Sequence, residues 1–130
     1  MKKQSNLEPK EDLFTPVDDL LSTKHGYNRY EVVSALIKSM RLGSNHLKEA
    51  WYWALELFNV APEYLGRRLL IFAAEDVSPL DKESFLVLCE CGRLLMQGKH
   101  TATINHVWYA VQTGCVARKI FQDGNQGKAA

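Results

Sequence analysis

Apolar residues recur every three or four positions through the middle of this chain, which is the spacing of one face of an α-helix. This pattern predicts five helices, over residues 30–41, 45–58, 62–75, 81–97 and 101–121. No alternation of apolar and polar residues extends far enough to predict a strand. Since the predicted links are short, we expect an all-α protein, a compact bundle of about five helices.

Four residues mark the ends of these helices. Gly43 and Gly98 follow the first and the fourth helix, where a glycine ends a helix at low conformational cost. Pro62 is well placed for the first turn of the third helix, and Asp81 is a good N-cap for the fourth. The residues in the links therefore agree with the periodicity.

The second predicted helix is apolar around more than half of its circumference. Trp51 lies on its main apolar stripe, Trp53 and Leu57 widen that stripe, and Tyr52 points outward. A helix this apolar is either central in the fold or shared with another subunit. We expect Trp51, Trp53 and Leu57 to contribute to a subunit interface.

The inward faces of the last two predicted helices follow from the same spacing. We expect the fourth helix to bury Phe85, Leu88, Cys89, Gly92, Leu95 and Met96, and the fifth to bury Ile104, Val107, Trp108, Val111 and Cys115. Gly92 has no side chain, so it allows a neighbouring backbone to approach closely.

The two ends of the chain differ from its middle in composition. Residues 1–26 are mostly polar, with two prolines and scattered apolar residues, and residues 123–130 are polar with two glycines. Such segments cannot bury enough apolar surface to fold alone. We therefore expect a flexible leader over residues 1–26, one helical domain over residues 27–122 and a flexible tail over residues 123–130.

The composition excludes several classes of protein. The 130 residues suit one domain, and 16 Lys plus Arg against 15 Asp plus Glu leave a formal net charge of +1. Bulk attraction to nucleic acid is therefore excluded, and any such binding needs a local patch. No apolar stretch approaches the ~18 residues of a membrane span, no signal peptide is recognisable and the cysteines are three, so we expect a cytoplasmic protein that does not bind membranes.

Motifs of the common enzyme classes are missing from the sequence. The run Gly66-Arg67-Arg68 lacks the spacing and the Lys-Ser/Thr pair of a phosphate-binding loop, and neither Gly-x-Ser-x-Gly nor His-Glu-x-x-His occurs. Cys89 and Cys91 are two residues apart on a predicted helix, so their thiols point about 200° away from each other and cannot hold one metal ion. We expect no catalytic residue, no metal and no cofactor.

Charged residues of the first and third predicted helices form the clearest candidate site. Glu75 and Asp76 lie at a helix C-terminus, where carboxylates are unfavourable, so we expect them to have a partner elsewhere. If the two helices meet, their charges form either an anion-binding or DNA-binding patch or an internal ion network, and we favour the network. The residues concerned are Lys38, Arg41, Arg67, Arg68, Glu75 and Asp76.

Several motifs occur in a fixed order through the predicted helices. They are YEVVSALIKSMR over residues 30–41, Gly43-Ser44, AWYWA over residues 50–54, Arg67-Arg68-Leu69 and Ala74-Glu75-Asp76. Together they resemble the C-terminal region of the replication-associated recombination protein A family, the maintenance-of-genome-stability AAA+ ATPases, which includes the Werner-helicase-interacting ATPase. The resemblance covers residues 27–121. Leu42 departs from it as an insertion, and Gly66 and Ala74 replace the usual small residues.

The resemblance implies a fold and a cellular role. In that family this region is helical, is related to the collar of clamp-loader subunits and assembles full-length proteins into tetramers. The family acts in DNA replication, recombination and repair at stalled forks, and it binds single strands and DNA ends. A short polar leader precedes Tyr27 here, so the resemblance implies a collar domain that stands alone. ATP turnover does not carry over, because the matching residues do not perform it.

We therefore expect a non-catalytic assembly module that forms a homo-oligomer, with a tetramer favoured, or that joins a AAA+ ATPase of the same family or another replication protein. The alternative is a helical module that binds single-stranded or forked DNA directly. In that alternative Lys38, Arg41, Arg67 and Arg68 contact the phosphates, and affinity falls steeply with salt.

Overall fold

The computed structural model describes residues 22–98 and 101–129, with side chains as far as Gly124. This part of the chain contains six α-helices and a short 3₁₀ helix, Ser44–His46. The α-helices are α1 Arg29–Leu42, α2 Leu47–Val60, α3 Pro62–Asp76, α4 Lys82–Met96, α5 Ile104–Val116 and α6 Ile120–Ala129. No strand occurs among the described residues, so the predicted all-α bundle is confirmed. None of these helices has the length and apolarity that crossing a membrane requires.

Capping residues mark both ends of α1 and the start of α4. The Asn28 side chain caps α1 by accepting hydrogen bonds from the amides of Tyr30 and Glu31 at 2.9 and 3.3 Å. Gly43 ends α1 with a φ of 102°, a conformation that glycine adopts at low cost. Asp81 caps α4 as predicted, because its carboxylate accepts a hydrogen bond from the Ser84 amide at 3.2 Å.

The helices pack as two hairpins joined by a fifth helix. α1 packs against α2, and α3 packs against α4, while α5 contacts α1, α2 and α4 and α6 contacts α3. The core between them is built from large side chains of all five helices. Those that are fully enclosed include Leu36 and Met40 of α1, Leu57 of α2, Leu65, Leu69 and Phe72 of α3, Leu88 and Leu95 of α4, and Val107 and Val111 of α5.

The backbones of α3 and α4 come closest at two glycines. A Cβ atom built on Gly66 would lie 2.5 Å from the Gly92 carbonyl oxygen, and one built on Gly92 would lie 2.8 Å from the Gly66 carbonyl oxygen. Neither position has room for a side chain. The prediction that Gly92 allows a close backbone approach is confirmed, and Gly66 is its partner.

The predicted inward face of α4 is right at Leu88, Gly92 and Leu95 and wrong at its edges. Cys91 is buried together with Gly92, whereas Cys89 is half-buried and Phe85 and Met96 are exposed. The reason is that α4 packs against two neighbours, α3 and α5, so its buried arc extends toward Cys91. Ile104 and Trp108 of α5, which were expected to point inward, are 49% and 37% exposed, and Trp108 packs against Trp51.

The predicted fifth helix is in fact two helices. α5 ends at Val116, and Ala117 takes an extended conformation with φ −59° and ψ 144°. The Arg118 carbonyl then accepts a hydrogen bond from the Ser78 amide at 2.8 Å, and Val77 pairs with Lys119. The helix is interrupted here because backbone groups of residues 118 and 119 pair with the link between α3 and α4. This contact joins residues far apart in the chain, so the local spacing of apolar residues could not predict it.

The expected flexible tail begins where the structure has a helix. Residues 123–129 belong to α6. Asp123 anchors this helix, because its carboxylate accepts hydrogen bonds from the Ser78 hydroxyl and from the Arg118 guanidinium, the latter at 2.5 Å. Of the expected leader over residues 1–26, residues 22–26 form a turn before α1, and residues 1–21 lie outside the described part of the chain.

Candidate functional site

Arg41 and Asp76 form a two-pronged ion pair between the C-terminal ends of α1 and α3. Arg41 Nε donates to Asp76 Oδ1 at 2.8 Å, and a terminal nitrogen donates to Oδ2 at 3.1 Å. The Asp76 side chain is 14% exposed and that of Arg41 is 50% exposed. This pair supplies the partner that an acidic residue at a helix C-terminus requires. The hydrogen bond to Asp76 raises the pKa of Arg41 above its ordinary value.

A second polar cluster lies beside this pair, where α3, α4 and α6 meet. The Asp81 carboxylate accepts a hydrogen bond from the Arg118 amide at 2.9 Å as well as capping α4. The bond from the Arg118 amide is the main reason that the pKa of Asp81 lies below its ordinary value. Ser78 is fully buried and donates its hydroxyl to Asp123. The cluster therefore joins the α3–α4 link to the start of α6.

Lys119 is a buried cation at the same junction. Lys119 is only 2% exposed, and its Nζ donates a hydrogen bond to the Cys115 carbonyl oxygen at 2.8 Å. Burial lowers the pKa of this amine, while Asp76 and Asp81 act in the opposite direction. Lys119 thus caps the end of α5 and places positive charge near two carboxylates. The apolar periodicity placed Lys119 inside the fifth predicted helix, so the sequence did not predict that it would cap the end of α5.

The other charged residues of the candidate site do not join this network. Lys38 and Arg67 are exposed, Arg68 is half-buried and Glu75 is exposed. Lys38, Arg67 and Arg68 form no ion pair with any carboxylate of the described residues. The structure therefore brings together Arg41 and Asp76, and leaves three predicted cations unneutralised by direct contact.

α1 and α3 lie side by side and point in the same direction. Near their N-terminal ends the rings of Tyr30 and Tyr64 meet edge to face with centroids 6.2 Å apart, and at their C-terminal ends Arg41 meets Asp76. Residues that lie between these two contacts on the facing sides of the two helices border the surface between α1 and α3. One helical turn after the tyrosine pair, this register places Arg68 of α3 level with Ser34 of α1, and Lys38 lies one turn further on. We call this the α1–α3 surface.

The aromatic residues of α2 are mostly engaged within the chain. Trp51 packs edge to face on Trp108 of α5 with centroids 4.9 Å apart, and Trp53 packs in the same way on Tyr27 at 5.1 Å. Leu57 is fully buried, so the expectation that it contributes to a subunit interface is wrong. The wide apolar arc of α2 is covered by α1, α3 and α5, which is why it signals a central helix.

A turn before α1, which we call the strap (residues 22–28), was missed by the sequence patterns. The buried Glu56 carboxylate of α2 accepts a hydrogen bond from the His25 amide at 3.2 Å, another from Thr23, and pairs with His25 Nδ1. Burial opposes the charged form of Glu56, but these hydrogen bonds outweigh it and hold its pKa below the ordinary value. Nothing in the sequence indicated that Glu56 would be buried, because the residues that bind it, Thr23 and His25, are about thirty positions away in the chain.

The strap also brings an aromatic group to α2. The hydroxyl groups of Tyr27 and Tyr52 are 3.1 Å apart, and this hydrogen bond is the main cause that raises the pKa of Tyr52 to about 12. The His25 ring stacks at 6.5 Å from that of Tyr52. Together these contacts fix the strap against one side of α2.

The exposed face of α4 and α5 contains an open apolar groove of about 470 Å³. It is lined by Leu86, Val87, Glu90, Cys91, Leu94, His106 and Tyr109. Leu86 is 64% exposed and Tyr109 is 57% exposed, although both are large and mainly apolar. We call the surface around this groove the α4–α5 face. Phe85 and Met96 of α4 are also open to solvent, but they lie toward α3, because Phe85 lines a second pocket with residues of α3 and α6 and Met96 lies next to Gly66.

The arrangement carries no recognisable metal centre. No group of three or more His, Cys, Asp or Glu side chains in the described part of the chain is placed to hold an ion, and burial raises the pKa of all three cysteine thiols. No family model matches this chain, and no curated protein matches it. Proposals about function therefore rest on its own residues and on the motif resemblance.

Proposed function

We propose that this chain is an assembly module that associates with further copies of itself, or with a AAA+ ATPase of the family it resembles, in DNA replication, recombination or repair. The observation that supports this is the α4–α5 face. Monomeric proteins seldom expose contiguous patches of large apolar side chains, and such patches mark sites of protein association. The proposed role is non-catalytic and needs no cofactor.

The resemblance adds support to the biological context. Arg41 and Asp76 belong to two of the resembling segments, residues 30–41 and 74–76, and these segments meet in an ion pair. The tetramer that the resemblance implies is the oligomer that we propose.

The proposal places the association surface away from α2. Leu57 is enclosed, Trp51 is packed on Trp108, and Trp53 is packed on Tyr27. By contrast, Leu86 and Tyr109 protrude beside a groove that has room for side chains of a neighbouring molecule. Burying these side chains against another protomer contributes about 25 cal/mol per Å² of apolar surface removed from water.

Light scattering coupled to gel filtration across a concentration series tests the proposal. The 14.8 kDa chain is expected to elute with about four times its own mass, and Leu86→Glu is expected to reduce that mass to the monomer. Leu80→Glu is the matched control, because Leu80 is 70% exposed but lies in the link before α4 and does not line the groove. A monomeric wild-type chain that also recovers no family ATPase in a pull-down would sink the idea.

A second candidate function is direct binding of single-stranded DNA. The observation that favours it is that Lys38 of α1 and Arg67 and Arg68 of α3 form no ion pair with a carboxylate among the described residues. Fluorescence anisotropy with a labelled oligothymidylate over a salt series tests it. Affinity is expected to fall steeply with salt and to vanish when Arg67 and Arg68 are both changed to Glu. Binding that is absent at low salt would exclude this candidate.

A further inference from the structure

The imidazole ring of His106 has its proton placed by the cap of α5. Nδ1 of the ring accepts a hydrogen bond from the Thr103 amide at 2.9 Å, within the capping box that begins the helix. A ring nitrogen that accepts from an amide carries no proton, so the proton of the neutral ring is on Nε2. Nε2 has no partner among the described residues and is not enclosed. Since the ring lines the groove of the α4–α5 face, Nε2–H is a donor that a neighbouring molecule can reach.

Glu90 places an acceptor on the wall of the same groove. Its side chain is 58% exposed, and the Arg93 guanidinium donates to its two oxygens at 3.3 and 2.7 Å. An ionised carboxylate can accept more hydrogen bonds than these two, so acceptor sites on Glu90 stay open. Arg93 also balances the charge of Glu90, so two copies of this face do not repel each other strongly. The α4–α5 face therefore contains both a donor and an acceptor, which makes it complementary to itself.

The lining residues of this groove lie at two levels along α4 and α5. The two helices are joined by a short link and pack together, so they run antiparallel. The hydrogen bond from Arg93 is the main reason that the pKa of Glu90 lies below its ordinary value, and His106 lowers it further because its ring lies nearby. One turn earlier in α4 is Leu86, and one turn later in α5 is Tyr109. A polar level is thus followed by an apolar one.

We propose that the α4–α5 face binds the same face of a second copy of this chain about a two-fold axis, with His106 Nε2–H of each protomer donating to Glu90 of the partner subunit. An axis that runs along the groove, midway between the helices, sets α4 of one protomer against α5 of the other. The same rotation sets Leu86 against Tyr109 of the partner subunit, so apolar surface is buried beside each polar pair. This inference rests on the proposed function, to which it adds the arrangement of the two copies and the residues that select the partner.

Two charge changes test whether the polar pair crosses between protomers. His106→Glu keeps the cap of α5, because a glutamate at this position also accepts from the Thr103 amide, but it sets two carboxylates against each other across the axis. Glu90→Lys removes the acceptor. Light scattering is expected to show that each variant alone needs about tenfold more protein or more to assemble, because each change acts twice across a two-fold axis. An equimolar mixture is expected to assemble like the wild type, since the introduced lysine meets the introduced glutamate and the unchanged pair meets on the other side.

Glu49→Lys is the matched control for these variants. Glu49 lies on α2, is similarly exposed at 56% and contacts His46 three residues away, but it does not line the groove. This control is expected to assemble like the wild type, and circular dichroism checks that all three variants fold. Single variants that assemble like the wild type, or a mixture that does not recover assembly, would overturn the pairing and leave the proposed function in place. A wild-type chain that stays monomeric would remove the proposed function and this inference with it.

Discussion

Arg41 reaches from the last turn of α1 to Asp76, the last residue of α3, with two hydrogen bonds of 2.8 and 3.1 Å. The pair joins two helices that are otherwise in limited contact, and it compensates a carboxylate at the negative end of a helix dipole. It also forms one end of the α1–α3 surface. Its removal therefore tests both the packing of the two helices and the charge balance of this surface.

A double-mutant cycle with Arg41→Gln and Asp76→Asn is expected to give a coupling energy of about 1 kcal/mol. The value exceeds that of an ordinary surface pair because the contact is two-pronged and Asp76 is mostly shielded, yet half of Arg41 faces solvent. Urea unfolding measures it, and the coupling is expected to fall with added salt. The exposed pair Glu90–Arg93 on α4 is the control and is expected to couple more weakly. Strict additivity of the two substitutions would contradict the role given to the pair.

The contact between Gly66 and Gly92 predicts a sharp difference between glycine substitutions. Gly92→Ala places a methyl group 2.8 Å from the Gly66 carbonyl oxygen and 3.0 Å from Leu70 Cγ, so α3 and α4 must separate. We expect a loss of about 1–3 kcal/mol in the free energy of unfolding. Gly124→Ala in α6, where nothing lies within 4 Å of the new methyl, is expected to be neutral or to stabilise by up to ~1 kcal/mol. Chemical denaturation compares them, and equal effects would count against the close contact.

The cap of α4 predicts a dependence of stability on pH. Hydrogen bonds from the amides of Arg118 and Ser84 lower the pKa of Asp81 in the folded chain below its value in the unfolded chain. The carboxylate therefore stabilises the fold above the unfolded-state pKa, and this contribution disappears as the pH falls through the folded-state pKa. Asp81→Asn is expected to cost about 1 kcal/mol at neutral pH and less in acid. Urea midpoints at several pH values measure the difference, and a constant difference would refute this account.

The attachment of the strap to Glu56 predicts local opening when that carboxylate is lost. In Glu56→Gln one charged acceptor becomes a donor that faces the His25 amide. The amides of Thr23 and Gly26, which hydrogen-bond inside the strap at 2.8 and 2.9 Å, are then expected to exchange with deuterium about tenfold faster or more. Glu49→Gln is the control, because Glu49 lies on the same helix but is exposed. If Glu56→Gln leaves the exchange of both amides unchanged, the strap is held by its aromatic contacts alone.

The sequence predicted the helices well where their signals are local. The periodicity of residues 62–75 and 81–97, the glycine after α1 and the aspartate before α4 each act within one or two turns of chain. α1 begins at Arg29, one residue before the predicted start at Tyr30, which is within the usual uncertainty at a helix end, and its cap Asn28 was not predicted. The resemblance to a family remains an expectation, and it rests on short sequence motifs within these helices.

The candidate site was predicted only as a set of residues. The sequence predicted that Asp76 needs a distant partner, because a carboxylate at the C-terminal end of a predicted helix lies at the negative end of the helix dipole. Which of the four cations would supply that partner depended on how α1 and α3 are placed side by side. Arg41 supplies it, while Arg68 Nε is buried without an acceptor among the described residues.

By itself, then, the sequence determined that this is an all-α protein, where most helices begin and end, and that Gly92 meets a backbone, because these follow from spacing and side-chain size. The tertiary structure decided which helix faces are buried against other helices and which are exposed to solvent. It enclosed Leu57, exposed Leu86 and Tyr109, broke the last predicted helix at Ala117 and buried Glu56 under the strap. Each of these depends on contacts between residues far apart in the chain, whose free energies outweigh local preference only after the helices have packed.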